Sequence, residues 1–415
     1  MIYRVLISVI LTITPCVVWS QMTLDEYCES VLAYSHELQD AEFAAQGAQE
    51  REIVARKGYL PFLGLARELN VEGRKPDGAR RWSWLTQLDV SQPIFRGGEV
   101  RAAVKRAELA SDVAELNEVA MEFFVRYTAE VAYWSLSRAE EYYNAIEKYV
   151  AIVRSLCDVV AERYSEGYIS KSDLLQVESR LGDAEYQLSQ ALQRRDIVLH
   201  NFNLLRGADV ADSVVLAVSI FHSAELPVRE SVNAVVMRHP DYRTSLLEVE
   251  RAFWGIRAER AKYLPQIDIG AYALLQPNMP HVKGGGTRLD GGVVLTFSSP
   301  IFHFGERKHA VAAARSDYLR MANATMAVVD RITIDESDTW TNLCSTYDRA
   351  NTARRNLAIA EENLVISTYS YREGLASILD VLQAQLSWLQ MYTNTITAQY
   401  DYAVAVAAYD YVTCK

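Results

Sequence analysis

The stretch WSWLTQLDVSQPIFRGGE at 82–99 returns as LDGGVVLTFSSPIFHFGE at 289–306, displaced by 207 residues. Pro93-Ile94-Phe95 falls on Pro300-Ile301-Phe302, and Gly98-Glu99 on Gly305-Glu306. Upstream, Tyr59-Leu60-Pro61 recurs as Tyr263-Leu264-Pro265 at a displacement of 204, a difference that the loop between Pro61 and Pro93 absorbs. Downstream, Tyr164, Glu166, Gly167, Ser170, Asp173, Leu175 and Gln176 match Tyr371, Glu373, Gly374, Ser377, Asp380, Leu382 and Gln383, again at 207. A displacement held constant over such a distance reads as duplication. The first repeat spans 21–227 and the second 228–415.

Each repeat keeps one order. A helix-like segment (24–57, then 230–262) ends at a Leu-Pro step, because the residue before proline is disfavoured in helix. Two alternating strands follow, near 59–93 and 263–300. Turn-rich loops separate them, containing Pro76-Asp77-Gly78 in one copy and the run 277–286 in the other. A Pro-Ile-Phe step and a glycine close the second strand. Helical patterning then occupies 96–205 and 303–412, broken once at Glu166-Gly167 and once at Glu373-Gly374. A linker at 207–227 joins the copies.

The strands carry sharper information. Trp82, Trp84, Thr86, Leu88 and Val90 share one face; Ser83, Gln87, Asp89 and Ser91 share the other, with Leu85 the exception. The second copy keeps the register, with Leu289, Gly291, Val293, Leu295 and Phe297 opposed to Asp290, Thr296 and Ser298. On the first strands, Leu63, Leu65, Leu69 and Val71 match Ile267, Ile269, Ala273 and Leu275, and Arg67 breaks the apolar face. A half-buried sheet in a soluble domain produces this alternation. So does a barrel wall with lipid outside and a polar lumen inside. The strands reach the roughly 9–11 residues that cross a bilayer. Four strands cannot close a barrel, so the second environment requires several chains. Trp82, Trp84 and Tyr59 would suit a membrane-interface girdle, although aromatic residues favour any sheet.

After the Glu-Gly break, Leu174, Val177, Leu181, Ala184, Leu188 and Ala191 follow a 3-4 spacing. The second copy repeats it from Val381 through Ala384, Trp388, Met391, Thr395, Ala398, Tyr402, Ala405 and Tyr409. That is the spacing of a coiled-coil seam. Ala103, Ala107, Ala110 and Ala114 offer a small-residue face for close helix approach. Seventy helical residues would extend roughly 105 Å, which suits a tube better than a globular core.

Composition bounds the remaining classes. Half of the 415 residues are apolar, which excludes a disordered chain, and the net charge of −11 argues against a nucleic-acid groove. Arg4, the apolar run 5–13 and the small residues Val18 and Ser20 read as a secretory signal cleaved after Ser20, with lipidation at Cys16 as the alternative. Cys28, Cys157, Cys344 and Cys414 have neither disulfide-framework nor zinc spacing. His303 and His309 do not share a helical face, and no phosphate loop or nucleophile elbow is present. No later segment is apolar enough for a transmembrane helix, so a membrane location would have to use strands.

The duplicated order of Leu-Pro, strand, loop, strand, Pro-Ile-Phe and Gly-Glu, with Tyr-x-Glu-Gly turns leading to Asp173 and Asp380, resembles the TolC-like outer-membrane efflux proteins over the whole mature chain. The resemblance implies a mainly α fold with a small β part. Long antiparallel coiled coils would form a trimeric α-barrel, and four transmembrane β-strands per chain would contribute to a shared barrel of twelve. It further implies a homotrimer in contact with outer-membrane lipid, its helices extending into the periplasm. Partners would be a periplasmic adaptor (membrane-fusion) protein and an inner-membrane RND or ABC transporter. Neither cofactor nor catalysis is implied.

The resemblance also assigns residues. Gly167, Tyr168, Gly374 and Leu375 would form adaptor-docking tips, although glycine also suits a tight helix reversal without any docking. Asp380 matches a ring of acids at the pore constriction, where carboxylates favour cations. The family's second acid falls at Gln383. Asp173 and Tyr371 match a latch of the closed tip whose arginine corresponds here to Ala376. Asp173 also fits a plain first-turn acid of the following helix. A passive duct for small molecules or proteins, opened by untwisting of the coiled coils, is the leading function. A secreted soluble helical scaffold or adhesin is the alternative.

Overall fold

The computed structural model describes residues 21–71, 82–222, 225–277 and 287–415. The export signal, Cys16 and the loop signals at 76–78 and 278–286 lie outside them. The chain runs α1 (Leu24–Tyr34), α2 (His36–Lys57), β1 (Phe62–Val71), β2 (Trp82–Arg96), α3 (Glu99–Ser165) and α4 (Lys171–Leu205). The same order follows as α5 (Val232–Arg238), α6 (Pro240–Ala261), β3 (Gln266–Pro277), β4 (Thr287–Ser298), α7 (Glu306–Arg372) and α8 (Ile378–Thr413). Among the described residues no helix is long and apolar enough to cross a membrane.

The leading helix of each repeat is two helices rather than one. Ser35, with ψ of 118°, leaves the helical region and separates α1 from α2. In the second copy Pro240 has no N–H to continue α5, and it takes the first position of α6, where that N–H is not needed. His239 turns the chain there, its Nδ1 accepting from the Asp241 amide at 3.2 Å.

The four strands form one antiparallel sheet in the order β1-β2-β3-β4, leaving β1 and β4 as edges. Directly opposed residues share a face, and the register carries the alternation across all four strands. Leu65 pairs with Leu88, Leu88 with Ala273 and Ala273 with Gly291. One residue along, Gly64 pairs with Asp89, Asp89 with Tyr272 and Tyr272 with Gly292. The apolar face is exposed: Leu63, Leu65 and Leu69 on one edge and Leu289, Val293, Leu295 and Phe297 on the other are each about two-thirds or more accessible.

Pro-Ile-Phe closes only one of the two strands. β4 ends at Ser298, before Pro300, but β2 continues through a register shift between Pro93 and Phe95 to Arg96. Proline cannot donate to the ladder, so a bulge accommodates it. Beyond it, Phe95 pairs with Ile267, and Arg96 Nε donates to Asp268 Oδ1 at 3.0 Å.

The chain divides into two compact units that cut across the repeats. One holds the segment up to Ser35, Arg126–Pro227 and Asn342–Ala408. Its largest core joins Ile146, Tyr149 and Val153 of α3, Ala184 and Ala191 of α4, Leu364 of α7 and Trp388, Tyr392 and Ile396 of α8. The seam positions Val177, Ala184 and Ala191 are buried, as are Val381, Ala384, Trp388, Thr395, Tyr402, Ala405 and Tyr409 along α8. In this unit Gly207 ends α4 with φ of +70°, and a Cβ added there would come within 2.3 Å of the Tyr34 ring. Gly207→Ala is expected to cost about 1–3 kcal/mol per chain, read as a lower thermal midpoint, whereas Gly182→Ala, in open space within α4, should instead stabilise the chain by about 0.5–1 kcal/mol and raise that midpoint.

The other unit holds His36–Val125, Val228–Thr341 and Tyr409–Lys415, and with them the sheet. Here the small-residue face of α3 is not the buried one. Ala103 is exposed, while Ala102 and Leu109 pack on Trp254 of α6. The bulky indole selects the residues whose side chains point at it. Val235, Val236 and Ile332 form a second cluster, and beside it Arg229 makes a two-point ion pair with the fully buried Glu336 at 3.0 and 2.8 Å.

Candidate functional site

The two reversals at 166–170 and 373–377 are built alike. At the end of α3, the Gly167 amide donates to Tyr164 O at 3.0 Å and the Tyr168 amide to Arg163 O at 2.9 Å. At the end of α7, Gly374 donates to Tyr371 O at 3.0 Å and Leu375 to Ser370 O at 2.8 Å. This pair of bonds is a Schellman cap, which needs a left-handed residue just past the helix. The glycines supply it, with φ of +80° and +77°. The turn geometry therefore accounts fully for Gly167 and Gly374.

It does not account for Tyr168 and Leu375. The residue after the capping glycine commonly packs back on the last turn of its own helix. Here the positions it would meet are Arg163 and Ser370, and Tyr168 and Leu375 stand 77% and 82% exposed. Two large apolar side chains held in water by a rigid turn make a surface that a partner could cover.

Asp173 and Asp380 each close a capping box on the next helix. Ser170 Oγ accepts from the Asp173 amide at 3.2 Å, and the Ser170 amide and hydroxyl donate to Asp173 Oδ2 at 3.3 and 2.9 Å. In the second copy the Ser377 amide and hydroxyl donate to Asp380 Oδ2 at 2.9 and 2.7 Å. The Ser377 hydroxyl, and then its amide, hold the Asp380 carboxyl below the ordinary carboxylate range. Asp380 and Gln383 are exposed and face a groove between α4 and α8, opposite Gln176 and Arg180.

Tyr371 is buried, and its hydroxyl has no well-formed hydrogen bond among the described residues. Burial pushes its pKa up, Arg163 opposes the rise, and the nearby Asp173 charge adds to it. No hydrogen bond joins Tyr371 to Asp173, whose carboxylate is held by Ser170. Ala376 has no charge to offer, and the cation beside Tyr371 is Arg163 of α3. Its guanidinium lies 4.9 Å from the Tyr371 ring centroid and donates to Tyr371 O at 3.3 Å and Arg372 O at 2.7 Å. A cation on the free carbonyls at a helix C-terminus is favourable. The position 207 residues on is Ser370, so among the described residues the end of α3 has no matching clamp. Sequence reading missed Arg163 because its partners are backbone atoms more than 200 residues away.

The chain matches known proteins throughout. Protein CyaE of Bordetella pertussis is 23% identical over 390 residues, covering 89% of this chain and 79% of that protein. Outer membrane protein TolC of Escherichia coli is 22% identical over 390 residues, covering 89% and 77%. The crystal structure of the outer membrane protein VceC from Vibrio cholerae superposes with a TM-score of 0.77, covering 94% of this chain and 95% of that one at 20% identity. The crystal structures of CusC, which concern its folding and transmembrane channel formation, superpose with a TM-score of 0.81, covering 95% of this chain and 92% of that one at 16% identity. The outer membrane efflux protein family model matches residues 28–208 and 232–409, nearly the whole chain, and this protein belongs to that family.

Proposed function

We propose that three copies of this outer-membrane efflux channel assemble into a continuous exit duct, fed by a periplasmic adaptor protein and an inner-membrane RND or ABC transporter. The observation that carries the proposal is the sheet. Its apolar face stays exposed on all four strands while its other face carries Glu68, Asp89, Asp268 and Asp290. Its two edges are open, and a closed barrel is the form in which such edges survive in lipid. Three copies joined β4 to β1 give twelve strands. Each repeat, 21–227 and 228–415, then contributes two strands to the wall and one helix reversal to the periplasmic end. Detergent extraction from outer membranes as a trimer is the expected result; a water-soluble monomer of the mature chain overturns the reading.

Within that duct, Gly167, Tyr168, Gly374 and Leu375 present the adaptor contact, with the exposed Tyr168 and Leu375 supplying the affinity. Asp380 lines the constriction, with Gln383 one turn further on contributing no charge. Asp173 and Tyr371 lie beside the Arg163 clamp and help hold the closed tip. Asp380→Asn is expected to lower the cation-to-anion permeability ratio on the order of two-fold or more in bilayer conductance. Asp173→Asn removes the equivalent capping charge and should leave selectivity alone. Because the Asp380 carboxyl sits below the usual range, it stays charged as pH falls through the ordinary carboxylate pKa, and cation preference should persist there. Equal selectivity in the wild type and Asp380→Asn would move the constriction elsewhere.

A further inference from the structure

Arg67 is the one basic residue on the apolar face of the described sheet. It pairs with Thr86 in the register, Thr86 with Leu275 and Leu275 with Leu289, so its row crosses β3 and β4 two residues short of their loop ends. Leu65 and Leu69 flank it on its own strand, both exposed. The guanidinium leans on Trp84, 5.4 Å from the ring centroid, and Trp84 pairs with Leu69, one step nearer the hairpin end. No carboxylate lies within ion-pair reach of Arg67 among the described residues. A neighbouring copy joined through β4 would not supply one, because the same-face residues there are Leu289, Gly291, Val293, Leu295 and Phe297.

On the reading that this face meets lipid, we infer that Arg67, steadied by Trp84, binds the phosphate of an outer-leaflet lipid headgroup. An arginine on a lipid-facing wall is tolerated when its long stem carries the charge to the interface. A guanidinium presents a fork that matches phosphate oxygens bidentately. The aromatic ring holds the stem pointed toward the hairpin end, which the strand-helix order makes the outer one.

The test uses the full chain in phosphatidylcholine nanodiscs with and without bisphosphorylated lipid A, scored by native mass spectrometry. The wild type should retain lipid A, Arg67→Gln should retain it about ten-fold less, and Arg67→Lys should fall between. Equal retention by the wild type and Arg67→Gln overturns the assignment. So does loss of lipid A from the wild type on adding inorganic phosphate, which would show a site for the free anion. Insertion of both chains into plain phosphatidylcholine discs keeps these outcomes separate from the membrane reading; failure of both to insert would sink that reading instead.

Discussion

Val293→Arg is expected to abolish outer-membrane insertion, while Thr296→Arg, on the same strand, is tolerated. Val293 lies in the middle of β4 on the apolar face and is 75% exposed in the single chain. In a barrel it meets lipid near the midplane, where an arginine costs about 2–4 kcal/mol. The substitution acts in each of three chains, so the trimer carries the cost three times. Thr296 pairs with Asp268 on the polar face, and an added cation there faces water and acids. The measurement is the amount of detergent-extracted trimer in the outer-membrane fraction, with single-channel conductance as the second readout. Loss of trimer for Val293→Arg alone supports the lipid face. Equal loss for both variants would mean that the sheet packs both faces against protein.

Arg229→Ala is expected to destabilise the chain by about 3 kcal/mol. Glu336 has no exposed side-chain surface, and its carboxylate is held by both guanidinium contacts. Removing the arginine leaves a buried charge without its counter-ion, the costly half of a broken pair. Arg229 also lies 5.7 Å from the Trp340 ring centroid, so some apolar packing is lost with it. The double variant Arg229→Ala/Glu336→Leu should recover most of the loss, since an apolar pair can replace a buried ion pair at little net cost. Thermal unfolding of the full chain in detergent reads both. A double variant no better than the single would assign the effect to the lost arginine stem rather than to the stranded carboxylate.

Much of this molecule was legible in the sequence because the signals are local and periodic. A period of two placed the strand residues before the β2 bulge on their observed faces, including the intruders: Leu85 opposes Glu68 on the polar side and Arg67 opposes Thr86 on the apolar side. A 3-4 spacing marked the buried seam of α4 and α8. Glycine after a long helical run marked both Schellman reversals. The breaks at Ser35 and His239 were less legible. The helix-like pattern runs across them, and Pro240 is as compatible with a helix start as with a loop.

The sequence by itself determined the order of elements, the two faces of the sheet and the positions of the turns. Each of these follows from residues within one or two turns of each other, where backbone geometry converts spacing into direction. Tertiary structure alone decided that the Tyr371 hydroxyl is buried with no well-formed hydrogen bond among the described residues, and that Arg163 takes the carbonyls at the end of α7. It also decided that Ala102 rather than Ala103 meets Trp254. Those outcomes depend on which helix lies beside which and at what rotation. Packing selects both through contacts between residues far apart in the chain, and no local period encodes them.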